Sequence, residues 1–359
     1  MVGGFLGSGK TTLLWEAARR LKHNGQRIGL VTNDQAPELV DTALLSRDQM
    51  QVAEVSGSCF CCNFNGLVEA IRQVRTEAEA DVIIAEPVGS CTDLSATIFQ
   101  PLKKNLGREL LVSPLSVMAD PVRLVGILNG GNAGLHSGAA YIFRKQLEES
   151  DLILISKAEL LDANELSLLK ERTKQAFPHA DVMALSAKSG LGMDEWLTEV
   201  MHRTDAGQRL VEVDYDIYAE GEAILGWLNS TLMLTGDLTD WNVFARDLME
   251  GLSQQFDRKG VAVGHVKMML EAKDQYLVAN LTGRNDTLSI RGTVDSGAEA
   301  RVILNVRVEM SPEALEQLVR EILFKTIGKK LVVDVLAWRC LKPGRPNPTF
   351  RYDHVVPAF

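Results

Sequence analysis

The sequence predicts an α/β fold with a mostly parallel sheet, followed by a smaller α+β domain. Three observations predict it: short apolar runs alternate with amphipathic segments, a glycine-rich loop opens straight into one such segment, and the alternation stops after about Asp205. Strands joined through helices form right-handed crossovers, which build a parallel sheet covered on both faces. A chain of 359 residues also exceeds one ordinary core, so two domains are expected, at residues 1–205 and 206–359.

Along the first domain, Ile28–Thr32, Val82–Ala85, Leu110–Met118 and Leu152–Ile155 read as buried strands, each an apolar run of strand length. Thr11–His23, Leu67–Ala78, Ala139–Glu149 and Asn164–Ala176 repeat apolar residues at helical spacing. Beyond Asp205, Val211–Ile217, His265–Leu270, Tyr276–Leu281 and Val302–Val308 read as strands, flanked by helices at Trp241–Phe256 and Pro312–Ile327. Ser311 before Pro312 is a good helix start, a capping hydroxyl followed by proline at the first helical position. The tail from Lys342 to Pro357 carries four prolines and is expected to lie extended on the surface.

Composition narrows the function classes. Hydrophobic residues at 46% and charged residues at 24% match a globular protein, and the net charge of −9 argues against nucleic acid or an anionic membrane as main partner. No apolar run reaches the roughly 18–20 residues that span a bilayer, and the N-terminus opens into a glycine loop rather than a signal peptide, so the cytoplasm is expected. Three of the five cysteines crowd into Cys59, Cys61 and Cys62, which suits metal or redox chemistry better than a disulfide framework.

Gly4-Phe5-Leu6-Gly7-Ser8-Gly9-Lys10-Thr11 fits the GxxxxGK[ST] phosphate loop in full, with a helix following from Thr12. The glycines let backbone N–H groups turn around phosphates, Lys10 reaches the β/γ oxygens, and the Thr11 hydroxyl coordinates Mg²⁺. Gly4, Gly7, Ser8, Gly9, Lys10, Thr11 and Thr12 are the expected phosphate-binding residues. Only Met1-Val2-Gly3 precede Gly4, so the strand feeding the loop is expected to be short. Glu86-Pro87-Val88-Gly89 follows a strand, placing Glu86 where a carboxylate serves Mg²⁺ and the Gly89 amide where it faces the γ-phosphate; a plain strand-ending turn is the alternative. Asp34, after strand Ile28–Thr32, is a second candidate near the metal or attacking water. Lys10, Asp34 and Glu86 are the expected catalytic groups.

Base selection is written further along. Ser156-Lys157-Ala158-Glu159 follows a strand as a variant of the NKxD guanine box, and Ser186-Ala187-Lys188 resembles the second guanine loop. A carboxylate at Glu159 accepts both N1–H and the exocyclic amine of guanine, contacts adenine does not return. Ser156 in place of asparagine is expected to weaken a hydrogen bond between the two loops.

Glu54-Val55-Ser56-Gly57-Ser58-Cys59-Phe60-Cys61-Cys62 sets thiols too close together to pair readily. Two of them with a nearby carboxylate or water suit Zn²⁺ or Co²⁺, so Cys59, Cys61, Cys62 and Glu54 are the candidate ligands; inert buried thiols are the alternative. Cys91 either approaches the same region or is a small packed residue, and the packed residue is expected.

These segments occur in the order found in the CobW/HypB/UreG family of P-loop GTPases, and across roughly residues 1–200 the chain resembles the CobW-like branch, which carries a GCxCC metal motif. Ser58 stands where that branch has glycine, and Ser156 and Glu159 depart from NKxD. The resemblance implies a metallochaperone or metallocentre-assembly factor with slow, metal-sensitive hydrolysis of GTP to GDP, serving a client metalloprotein or metal-cofactor enzyme. A homodimer is one expected assembly. The alternatives are a GTP-dependent activator of a corrinoid or other metalloenzyme without metal transfer, and a small-molecule P-loop kinase. The latter requires an arginine-bearing lid and an acceptor pocket that the sequence does not display. Other features have plainer readings: Asn129–Gly138 as a surface loop, His136 as solvated, and Trp338–Pro346 with Cys340 and His354 as an ordinary strand and tail.

Overall fold

The computed structural model describes residues 1–34, 39–47, 50–283 and 287–357. Contacts divide the chain into two units, Met1–Gln35 with Leu45–Gly221 and Arg345–Phe359, and Ala36–Leu44 with Glu222–Gly344.

In the first unit the strands are β1 (Val2–Gly4), β2 (Ile28–Asp34), β3 (Gln51–Ser56), β4 (Val82–Glu86), β5 (Ser116–Ala119), β6 (Leu152–Ile155) and β7 (Asp181–Ala184). They pair in parallel in the orders β1-β5-β6-β7 and β3-β2-β4, with β4 packed beside β1. Parallel strands deliver their carboxyl ends to one edge, the edge at which open α/β sheets bind ligands. The helices are α1 (Lys10–His23), α2 (Val40–Arg47, shared with the second unit), α3 (Phe64–Glu77), α4 (Gln100–Leu106), α5 (Pro121–Leu128), α6 (Ser137–Glu149), α7 (Ala163–Ala176), α8 (Met193–His202) and α9 (Tyr215–Ala223). Leu13, Leu14, Ala17 and Leu21 of α1 bury against Leu30, Ile84, Met118 and Leu154 from the strands.

Three expectations change. The strand expected at Leu110–Met118 shortens to β5, because Pro114 has no N–H to donate and restricts Ser113 before it. Val211–Ile217 is not a strand: Asp214 accepts from the amides of Asp216 (2.9 Å) and Ile217 (3.2 Å) and starts α9. The tail is irregular as expected, yet residues Arg345–Phe359 belong to the first unit rather than to a terminal domain.

The second unit is a six-stranded antiparallel sheet in the order β11-β10-β9-β12-β8-β13, formed by β8 (Gly226–Thr239), β9 (Val263–Ala272), β10 (Gln275–Leu281), β11 (Ser289–Gly292), β12 (Gly297–Val308) and β13 (Leu331–Leu341). Helices α10 (Trp241–Lys259) and α11 (Pro312–Ile327) supply Trp241, Leu248, Phe256, Leu315 and Val319 to its main core. Ser311 caps α11 as expected, accepting from the Ala314 amide at 3.3 Å. A smaller cluster on the sheet joins Met269, Val278 and Ile303 to Val40 and Leu44, alternate strand positions facing away from α10 and α11. No described helix is long and apolar enough to cross a membrane.

One buried acid makes stability depend on pH. Glu149 ends α6 fully buried, accepting from the Thr92 hydroxyl and the Ser95 amide, both at 2.9 Å, and burial pushes its carboxyl up to about 8. An acid with a raised pKa holds its proton more tightly when folded, so stability falls as pH rises from about 4.5 to about 8. The slope reaches about 1.4 kcal/mol per pH unit within that window. Urea unfolding across this range should show the decline in the native chain and lose it in Glu149→Gln. An unchanged slope in the variant would assign the pH dependence to other groups.

Candidate nucleotide and metal site

The phosphate loop joins β1 to α1. Gly4, Gly7 and Gly9 have φ of +131°, +78° and +95°, and Gly9 is the left-handed N-cap of α1, a conformation costly for any residue with a Cβ. Lys10 donates to the Gly4 carbonyl at 2.8 Å, laying its side chain back over the loop, and its Nζ sits 3.9 Å from Glu86. Thr11 donates to the same carboxylate at 3.2 and 3.4 Å. A hydroxyl and a carboxylate meeting at a helix N-terminus form a hard-oxygen pair that fits Mg²⁺. The Ser8 hydroxyl is buried without a hydrogen-bond partner among the described atoms, a group that a phosphate oxygen would satisfy. Thr12 follows in the first turn of α1.

Gly89 lies against this loop: a Cβ there would come within 2.7 Å of Leu6 Cδ2 and 3.0 Å of Lys10 Nζ. Arg123 of α5, a residue the sequence did not single out, donates to the Leu6 carbonyl and sets its guanidinium over Phe5. Asp34 ends β2, buried, level with Ser56 of β3.

The two loops in which base-binding residues are expected leave β6 and β7, which pair side by side. The Ala158 amide donates to the Leu185 carbonyl at 3.2 Å, linking the loops through backbone, while the Ser156 hydroxyl turns to the Ala119 carbonyl. Lys157 is left-handed, with φ of 52°, and pairs with Asp120 at 2.8 Å. Glu159 is exposed just beyond it, and Ser186 accepts from the Ser189 amide in the loop that also presents Ala187 and the exposed Lys188.

Cys59, Cys61 and Cys62 form the metal-capable group found among the described residues, with Sγ separations of 2.8 Å (Cys59–Cys61), 3.1 Å (Cys59–Cys62) and 3.9 Å (Cys61–Cys62). Hydrogen bonds from the neighbouring thiols hold Cys59 well below the usual thiol range and push Cys61 well above it and Cys62 up to about 11. Asn33, also not anticipated, pins this turn: its Nδ2 donates to the Val55 and Ser58 carbonyls and its Oδ1 accepts from the Phe60 amide, all at 2.8 Å.

Glu54 is not part of that cluster. It is level with Thr32, which is level with Glu86, so these three share one face of the sheet, while Asn33, the residue beneath the cysteine turn, points to the other. Cys91, expected as a packed residue, is buried. His136 uses Nδ1 to cap α6, accepting from the Gly138 amide at 3.2 Å.

The tail closes over the cysteines. The Asn347 amide donates to Cys62 Sγ (3.2 Å), the Thr349 amide to the Cys61 carbonyl (2.8 Å) and the Thr349 hydroxyl to the Cys62 carbonyl (3.0 Å). Phe350 meets Phe64 edge to face, and Arg351 pairs with buried Asp93 at 2.7 Å, which also accepts from Tyr215.

A parallel sheet with a complete phosphate loop, in a unit that also carries a cluster of three thiols, defines a P-loop nucleotide-binding protein. Residues 1–184 match the model of the CobW/HypB/UreG nucleotide-binding domain, and the chain belongs to that family. It is 25% identical over 213 residues to the zinc chaperone CobW of Sinorhizobium sp, covering 53% of this chain and 58% of that protein. It is 26% identical over 167 residues to the zinc chaperone YeiR of Escherichia coli (strain K12), covering 44% and 46% respectively. The chain thus spans about half the length of the curated relatives it matches. Among solved structures it is similar to hydrogenase maturation factor HypB from Archaeoglobus fulgidus (TM-score 0.38, 20% identity, 55% of this chain and 85% of that one). It is also similar to the Zn(II)-bound YjiA GTPase from E. coli (TM-score 0.36, 16% identity, 89% and 97%).

Proposed function

We propose that the protein is a cytoplasmic GTP-hydrolysing metallochaperone that carries a transition metal, Zn²⁺ or Co²⁺, on its cysteine turn and delivers it to a client metalloprotein or metal-cofactor enzyme. The observation that carries this reading is the convergence of three thiols within 4.8 Å of one another, in the unit whose phosphate loop gathers Lys10, Thr11 and Glu86. Membership of the family and the zinc chaperones among its relatives support it.

In this reading Gly4, Gly7, Ser8, Gly9 and Thr12 line the phosphates, Lys10 neutralises their charge, and Thr11 and Glu86 would hold a Mg²⁺ ion that would add positive charge against the phosphates. Asp34 orients the attacking water, and the Gly89 amide meets the γ-phosphate. Ser156, Lys157 and Glu159, with Ser186, Ala187 and Lys188, receive guanine.

Base choice and metal loading are separately measurable. Calorimetry should give a preference for GTP over ATP of at least about tenfold, the worth of one polar pairing, with Glu159→Gln reducing it. Equal affinities would overturn the guanine assignment and favour a P-loop kinase. Metal content after incubation with Zn²⁺, with GTP or GDP, tests the cargo; a chain that takes up no metal in either state is not a metallochaperone.

A further inference from the structure

We propose that the first unit carries a second ligand site, a recess that binds a small organic anion. Arg144 and Arg209 hold its carboxylate or phosphate group, and its apolar body lies on Ile127, Leu128 and Phe177. The site does not depend on the cysteine turn carrying metal.

The recess has a volume of about 480 Å³, within the range of small-molecule pockets. Its walls are the ends of α5 and α7, the last turns of α6 and the segment that bears Arg209. Glu148 and His179 line it and stand just before β6 and β7, so it lies at the edge where those strands begin. β1 is parallel to both through β5, and the phosphate loop follows the end of β1. The recess and the phosphate loop therefore occupy opposite edges of the sheet, and an occupant of one does not reach the other.

The walls are tied together without using either guanidinium. Arg172 of α7 donates to Asn129 at the end of α5 (2.7 Å), and Lys174 donates to the Ala180 carbonyl (2.8 Å), holding the turn between α7 and β7. Buried Asp151 accepts from the amides of Gly207 (2.6 Å) and Gln208 (3.0 Å), and Lys103 donates to the Ala206 carbonyl (2.8 Å), which fixes the backbone leading to Arg209. Glu148, the acid among the lining residues, is already paired with Lys145 at 2.8 Å. Arg144 and Arg209 are left with no hydrogen bond or ion pair among the described residues. Two guanidiniums in one recess repel each other, and an anion between them reverses that cost; their planar forks match carboxylate and phosphate oxygens. Burial and the nearby Arg209 charge hold the His179 imidazole below its usual pKa, the response of a base to surroundings that are already positive. In a chain of net charge −9 this is a local reversal of sign. The floor is apolar, with Ile127 and Phe177 only 3% and 6% exposed, so the occupant needs an apolar body as well as a charge.

The probe is para-fluorophenyl phosphate, titrated into the full chain with GDP and Mg²⁺ in excess to fill the phosphate loop, and followed by fluorine NMR. One saturable site at millimolar concentration or below is expected, weakened about tenfold or more by each of Arg144→Gln and Arg209→Gln, the loss of a charge-assisted hydrogen bond. Inorganic phosphate, as a competitor, and para-fluorophenol each carry half of the probe's chemistry and should bind at least about tenfold more weakly. Binding that both variants leave unchanged puts the probe elsewhere and overturns the proposal, as does no binding at all. Equal affinity for para-fluorophenol would make the recess a plain apolar groove, and equal affinity for inorganic phosphate a plain anion site; either overturns the assignment of an organic anion. Neither arginine holds a partner, so thermal midpoints should stay near wild type; if Arg144→Gln does not fold, Arg209→Gln at its exposed position carries the test alone.

Discussion

Lys10→Ala is expected to lower GTP turnover by about 10²–10³-fold or more, the loss that follows when one preorganised donor to transition-state charge is deleted. Lys10 is only 6% exposed, donates to the Gly4 carbonyl and stands 3.9 Å from Glu86, so its charge is placed before substrate arrives. Deletion removes that charge and leaves the Glu86 carboxylate without its nearby cation, adding repulsion between Glu86 and phosphate. The hydrophobic core does not depend on Lys10, and far-UV dichroism should stay native. Single-turnover hydrolysis at saturating GTP measures the effect, and a rate within a few-fold of wild type would remove Lys10 from the chemistry.

The second large effect belongs to the thiols. Structural zinc in small sites is worth about 10–16 kcal/mol, or roughly 3–4 kcal/mol per ligand, so Cys61→Ser/Cys62→Ser should weaken Zn²⁺ binding by about 10⁴-fold or more. The pH dependence has a definite sign. Cys61 and Cys62 have raised pKa values, Cys62 at about 11, so near neutral pH both are protonated and must release a proton to bind metal. Affinity should therefore fall about 100-fold per pH unit as pH drops, tenfold for each displaced proton. Competition titrations with a chromophoric chelator at several pH values give both quantities. A flat pH profile, or a double variant that binds like wild type, would exclude these thiols as ligands. Coupling between Zn²⁺ and GTP of ~1–3 kcal/mol should also vanish in the double variant, and linkage requires its reciprocal, a change in GTP preference on adding metal.

What the sequence displayed was local chemistry. The phosphate loop, Glu86-x-x-Gly89 and the crowded cysteines are patterns within a few residues, and apolar runs such as Leu152–Ile155 match their strands residue for residue. β3 escaped notice because Gln51, Glu54 and Ser56 break its apolar pattern, β8 because it runs through polar positions such as Asn229 and Ser230, and β13 was read only at its end, from Trp338, because Asp334 interrupts its start. The faces of a sheet were equally hidden: proximity along the chain suggested Glu54 as a ligand, but period-two alternation turns Asn33, not Glu54's neighbour Thr32, toward the cysteine turn. The place of the tail over the cysteine turn depends on contacts across hundreds of residues, for which no short motif exists.

The hydrogen bond between Asn347 and Cys62 spans 285 residues of chain. At synthesis rates of about 5–20 residues per second, the cysteine turn leaves the ribosome roughly 15–60 s before the segment that covers it is made. A nascent chain in that interval presents Cys62 without its cover, so thiophilic ions and oxidants have their freest access to the turn before that segment is made.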